Sequence, residues 1–186
     1  MSDEDVWSWL QQNFLQRGIP TDNLHYEVPH SLPDNHGITS IYTVADKQTL
    51  PLFSQLRSLG VRMVKAALLF SRPQTMKKDI YTWSHNFDSC SNIPLSQKHK
   101  EKSIGVGMAR QDGRIGEYYL YVRNWAKHAV FNSNALPGLP SGGYWLSKDG
   151  WNGAVLPFSK LGKDNGLQLD KGVVFLIGAI ETLVDV

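Results

Sequence analysis

Apolar and polar positions recur with two different periods along this chain, and the change of period separates a helical beginning from a β-rich second half. Near the N-terminus, apolar residues are spaced by three and four, at Val6, Leu10 and Phe14. This spacing places them on one side of a helix, with acidic residues in its first turn. The pattern predicts a helix over residues 3–17 that ends at Gly18 and Pro20.

Residues 38–70 carry the pattern of a β-α-β unit. Ile38 to Ala45 is a β-type run, and Thr49 to Leu59 has an apolar helical stripe that stops at Gly60. Val61 to Phe70 is a nearly continuous apolar run and is interpreted as a strand. The two strands are expected to be parallel and joined by a right-handed crossover.

Beyond residue 71 the pattern indicates strands separated by Gly, Asn, Asp and Pro clusters, and no further amphipathic helix is expected. The predicted strands are Ile80–His85, Ser103–Arg110, Glu117–Trp125, Tyr144–Ser147, Ala154–Phe158 and Val173–Val184. The predicted fold class is therefore α+β: an N-terminal helix, one β-α-β unit and a mostly antiparallel, β-rich second half.

Length and composition favour one globular domain over residues 1–186, with a soft boundary near residues 72–78. The chain has 186 residues, of which 41% are hydrophobic, enough for a single core. It contains no long apolar run, and its N-terminus is acidic, so neither membrane insertion nor a signal peptide is expected. Cys90 is the sole cysteine, which excludes an internal disulfide and favours a cytoplasmic protein.

Charge is unevenly distributed behind the net value of +2. Residues 57–127 hold thirteen Lys and Arg against five acids, whereas residues 1–56 are acidic. If the basic side chains share a face, they would attract phosphates or an acidic partner; otherwise they form a solvated surface balanced by the acidic third. The candidate anion-binding residues are Arg62, Lys65, Lys77, Lys78, Lys98 and Lys100.

The predicted strand at residues 117–125 is unusual because it is aromatic on both sides. Strand alternation places Tyr118, Leu120 and Val122 on one side, where they are expected to face the core. The other side would carry Tyr119, Tyr121, Arg123 and Trp125. Such a face either packs under another layer or offers a stacking surface to a base, a sugar or a protein.

The Gly- and Pro-rich segment 132–153 is the second aromatic candidate. Its prolines and glycines would shape a loop that presents Tyr144, Trp145 and Trp151 near the aromatic strand. The alternative is that these rings close one end of the core.

Common catalytic motifs are absent, and three weaker sets of residues remain. His25, His30 and His36 lie in a short polar stretch with Glu27 and Asp34 and are weak metal-ligand candidates. Cys90 would serve a cysteine-dependent hydrolase if a histidine activated its thiol. A metal-independent ribonuclease of the small toxin type would use the remaining set, which comprises His85, His99, Lys127 and His128.

The absence of catalytic signatures favours recognition over chemistry. We expect a non-enzymatic protein without a cofactor that binds an acidic protein or nucleic acid. The expected contacts are the basic middle third together with Tyr119, Tyr121, Arg123, Trp125 and Trp145. Ribonuclease and cysteine hydrolase activity are the alternatives.

Overall fold

The first helix, α1, spans Asp3–Gln16, as its apolar spacing predicts. The computed structural model describes residues 3–22, 49–71, 79–83, 87–95, 103–125 and 131–184. Gly18 ends α1 because it adopts a positive φ of 67°, and the N–H of Ile19 then returns to the carbonyl of Phe14 at 2.9 Å. Compactness divides the chain into two units, Met1–Leu52 and Phe53–Val186.

The second helix, α2, spans Thr49–Phe70 and passes straight through Gly60. The predicted strand Val61–Phe70, and with it the β-α-β unit, is therefore wrong; its predicted first strand, residues 38–45, lies outside the described residues. Met63, Val64 and Ala67 are fully buried, while Arg62 and Lys65 are exposed, which is helical spacing. Gly60 is a packing position, because a Cβ there would lie 2.5 Å from the sulfur of Met108.

Six antiparallel strands are found among the described residues of the second unit, in the order β1-β2-β3-β4-β6-β5. This confirms the α+β class with a β-rich, antiparallel second half. The strands are β1 (Tyr81–Thr82), β2 (Ser89–Pro94), β3 (Ser103–Ala109), β4 (Tyr119–Asn124), β5 (Tyr144–Lys148) and β6 (Trp151–Pro157).

The third helix, α3, spans Asn165–Val184, so the predicted strand Val173–Val184 is wrong. Asp164 caps this helix: its Oδ1 accepts from the N–H of Leu167 at 2.9 Å. Phe175, Leu176 and Ile180 are fully buried. None of the helices among the described residues is long and apolar enough to cross a membrane.

The main core of the second unit lies between one face of the sheet and the helices α2 and α3. Ile104, Val106 and Leu120 are buried there in one cluster with residues of both helices. Side chains at alternate positions of the same strands point the other way, because a strand places successive side chains on opposite faces. We call the face opposite α2 and α3 the open face.

Candidate functional site

The open face has a floor of small residues along β3. Gly105, Gly107 and Ala109 alternate with the core residues of this strand. A Cβ at Gly107 would lie 2.9 Å from Cζ of Tyr121, and one at Gly105 would lie 2.9 Å from Nε1 of Trp125. Aromatic side chains thus lie close over both glycines, and the low floor forms the base of a cleft of about 790 Å³.

Aromatic rings supply both the inner wall and the rim of this cleft. Tyr119, Tyr121 and Trp151 are buried, and the Tyr121 ring packs on Tyr119 at 6.1 Å and edge-to-face on Trp151 at 6.4 Å between centroids. Trp83 and Trp125 also line the cleft, yet they are 42% and 44% exposed. The rim therefore offers ring surface to a ligand, whereas the inner rings mainly support one another.

Two hydrogen bonds fix the deep part of the cleft. The Tyr121 hydroxyl donates to Oδ2 of Asp88 at 2.7 Å, and the Trp83 indole N–H donates to Sγ of Cys90 at 2.9 Å. Burial raises the pKa of the Tyr121 phenol well above its usual value, and the negative charge of Asp88 adds to the shift. Burial also raises the pKa of the Cys90 thiol, so Cys90 is held in its protonated form.

A second cluster closes the cleft at the β3–β4 loop. Asp112 accepts from the backbone N–H groups of Arg114 and Ile115, from the Tyr119 hydroxyl at 2.9 Å, and from the Arg114 guanidinium at 3.1 Å. Burial alone would raise the pKa of Asp112, but these donors together lower it. Asp112 and Arg114 satisfy each other, so neither carries the charge that a ligand would meet.

Arg123 is different, because it is a half-buried cation with no counter-ion among the described residues. Its guanidinium carbon lies 3.5 Å from the centroid of the Trp125 ring. Its Nε is buried and unbonded, and no carboxylate among the described residues lies within ion-pair distance of it. Burial lowers the pKa of Arg123, and the nearby Arg114 charge acts in the same direction. An arginine still remains protonated at neutral pH, so a positive charge lines the cleft.

The structure brings together part of the predicted site. Tyr119, Tyr121, Arg123 and Trp125 all line the cleft, together with Trp151, which the loop prediction had placed near them. Trp145 lies on the other face: it packs on Phe131 at 6.0 Å and its indole N–H donates to the Pro137 carbonyl at 2.8 Å.

Arg62 and Lys65 also lie away from the cleft. They are on the exposed side of α2, whose buried side packs on the helix-covered face of the sheet. The described basic residues of the middle third therefore do not form one surface.

Many of the predicted residues lie outside the described part of the chain. These are the anion-binding candidates Lys77, Lys78, Lys98 and Lys100, the ribonuclease candidates His85, His99, Lys127 and His128, and the metal candidates His25, His30 and His36. Residues 72–78, the predicted soft boundary, are among them. Within the described ranges, no three His, Cys, Asp or Glu side chains are grouped closely enough to hold a metal ion.

Several residues of the cleft were not predicted. Trp83 follows β1, Asp88 precedes β2, and Asn92 lies in β2, which was not expected as a strand. The available signal was the spacing of Gly105, Gly107 and Ala109, since small residues at every second position of a strand leave one face bare. This spacing identifies the residues that form the floor of a cleft. It does not identify the residues that line its walls.

Known proteins give no further guidance on this site. No protein family, no curated protein and no solved structure matches the chain.

Proposed function

We propose that the protein is a non-enzymatic recognition protein that binds single-stranded nucleic acid in the cleft of the open face. Arg123 carries this proposal. Its guanidinium is half-buried, stacks on the exposed indole of Trp125 and has no counter-ion within the part of the chain that the structure describes. An anion in the cleft would pair with this charge, and a planar group attached to the anion would stack on the exposed rings. A nucleotide supplies both groups.

The other cleft residues fit the same ligand. Trp83 and Trp125 expose ring surface for base stacking, and Arg110 adds a second exposed cation at the loop end. A cleft of about 790 Å³ lies within the range of small-ligand pockets. It suits one or two nucleotides whose bases are free of a duplex.

An acidic protein partner fits the cleft less well. Protein interfaces bury roughly 800 Å² on each partner and are usually broad surfaces. The ring surface at the rim lies instead around a narrow concave space. An acidic protein is therefore the alternative that the binding assay must separate, and a cytoplasmic location remains part of the proposal.

The decisive experiment measures binding and cleavage together. Short labelled single strands of RNA and DNA, and matched duplexes, are titrated with protein in EDTA at about 50 mM and about 200 mM salt. Binding is followed by fluorescence anisotropy and cleavage by gel. We expect single strands to bind, without cleavage, more tightly than duplexes and more weakly at the higher salt.

The variants locate the site. Arg123→Gln should weaken binding roughly tenfold or more, because a charge-assisted contact is lost. Lys148→Ala, an exposed residue that does not line the cleft, is the matched control and should leave affinity unchanged.

Three results would overturn this proposal. Loss of binding in Arg62→Ala or Lys65→Ala, with Arg123→Gln intact, would move the interface to α2. Binding of acidic peptides in place of nucleic acid would favour a protein partner. Cleavage in EDTA that disappears with His85→Ala, His99→Ala or His128→Ala would identify a ribonuclease.

A further inference from the structure

One end of the cleft gathers polar side chains that have no hydrogen-bond partner among the described residues. They surround Gly105, which has no side chain of its own. The set comprises the amide of Asn92, the hydroxyl of Ser103, the guanidinium of Arg123 and the indole N–H of Trp125.

The strand register brings these four groups to the same place. Asn92 of β2 and Arg123 of β4 are both paired with Gly105, one on each side of it. Ser103 lies two residues before Gly105 on the same face, and its carbonyl accepts from the backbone N–H of Trp125 at 2.9 Å. Neighbouring strands are about 5 Å apart, so the backbones of Asn92 and Arg123 are about 10 Å apart. The indole Nε1 of Trp125 covers the glycine between them.

The chemistry of these groups is that of an oxyanion site. Arginine and indole N–H groups only donate, while serine and asparagine can donate. The carboxylates of the cleft, Asp88 and Asp112, lie near the other end: Asp88 precedes the pairing of Ser89 with Met108. Gly105 and Ala109 are four residues apart, which is about 13 Å along a strand. An anion therefore meets donors at the Gly105 end, whereas the Ala109 end also holds carboxylates.

We propose that Asn92, Ser103, Arg123 and Trp125 form a phosphate subsite at the Gly105 end of the cleft, beside the indole that covers this glycine. This inference rests on the proposed binding of nucleic acid and adds where the phosphate lies. The phosphate occupies the Gly105 end, and the attached nucleoside extends along β3 toward Trp83. Trp125 contributes its N–H to the phosphate, while its ring remains covered by Arg123 on one side.

The test compares a short single-stranded oligonucleotide with its uncharged methylphosphonate analogue. The wild-type protein should prefer the phosphodiester, and Asn92→Ala and Ser103→Ala should each weaken binding of the phosphodiester several-fold while leaving that of the analogue unchanged. Asn134→Ala is the matched control for Asn92→Ala, since Asn134 is exposed and does not line the cleft.

A second measurement identifies the phosphate source. In ¹⁵N-labelled protein the indole N–H resonance of Trp125, assigned with Trp125→Phe, is followed during titration with inorganic phosphate, a nucleoside monophosphate and the oligonucleotide. A shift with all three is expected. A larger shift with the monophosphate than with the oligonucleotide would assign the site to a free nucleotide.

Different experimental results would contradict the phosphate subsite and the nucleic-acid proposal. If the oligonucleotide binds and requires Arg123, but Asn92→Ala and Ser103→Ala behave like Asn134→Ala, the subsite is wrong and the binding function stands. If phosphate shifts the Trp125 resonance and no oligonucleotide binds, the subsite stands and the nucleic-acid proposal is wrong.

Discussion

At the scale of single residues, the Tyr121–Asp88 pair sets the stability of the cleft. Tyr121 is 7% exposed, and its hydroxyl donates to one oxygen of the Asp88 carboxylate. The other oxygen is buried and has no hydrogen-bond partner among the described residues. Tyr121→Phe removes this donor, so we expect the free energy of unfolding in urea to fall by roughly 1 to 3 kcal/mol.

Tyr81→Phe is the control for that change. Tyr81 is 57% exposed, and its hydroxyl is 3.3 Å from Asp79. We expect its effect to stay within about 0.5 kcal/mol. Equal losses in the two variants would show that the buried pair contributes nothing specific.

The phenols of the cleft also make the protein sensitive to alkali. Burial raises the pKa of both Tyr119 and Tyr121 in the folded state, and neighbouring carboxylates add to this. A raised pKa favours the fold below the unfolded value of about 10 and loses this contribution as pH rises toward the folded value.

We therefore expect the free energy of unfolding to fall above about pH 10. Phenolate absorbance should show that Tyr119 and Tyr121 ionise only as the protein unfolds. Tyr119→Phe and Tyr121→Phe should each reduce this late signal. Ionisation of all tyrosines before any loss of structure would contradict the expectation.

At the scale of elements, α3 depends on its N-terminal cap. The helix contains three glycines and a run of β-branched residues, so its intrinsic propensity is low. Asp164→Ala removes the side-chain acceptor for the Leu167 N–H and should lower the free energy of unfolding by about 1 kcal/mol. Asp170→Ala, at an exposed position inside the same helix, should change it by less than about 0.5 kcal/mol. Urea denaturation of the two variants measures the difference.

Sequence pattern predicted α1, the first half of α2, β1, β3, β4, β5 and most of β6. It missed β2, the second half of α2 and the whole of α3. Val61–Phe70 and Val173–Val184 are apolar runs rich in Val, Leu and Ile, which periodicity alone does not separate from buried strands. Gly60 was interpreted as the end of a helix, but it lies inside α2. The absence of a side chain at this position allows close packing on Met108. The capping residue Asp164 was the local signal for α3.

The sequence predicted those residues of the candidate site that lie on a single strand. Alternation in β4 identified Tyr119, Tyr121, Arg123 and Trp125 as one face, and they line the cleft. Alternation in one strand does not show which residues of other strands lie beside it. Asn92 and Trp83 reach the cleft only through pairing of β2 with its neighbours.

At the scale of the whole second unit, basic residues that are clustered in the sequence do not form one positively charged surface. The middle third has a large excess of basic residues, yet its described members lie on opposite sides of the sheet. Arg62 and Lys65 are exposed on α2, whereas Arg123 lines the cleft. Arg114 is compensated by Asp112. The effective charge of the cleft is therefore small, and its position matters more than the net charge of the chain.

This arrangement predicts how salt acts on binding. For single strands the logarithm of the affinity falls with the logarithm of salt concentration by about 0.7 for each phosphate contact. Arg123→Gln should reduce that slope by about 0.7, because it removes one contact. Arg62→Ala combined with Lys65→Ala should leave the slope unchanged, although it removes two charges from the same chain. A slope that tracks the number of removed charges, regardless of face, would mean that net charge and not the cleft drives association.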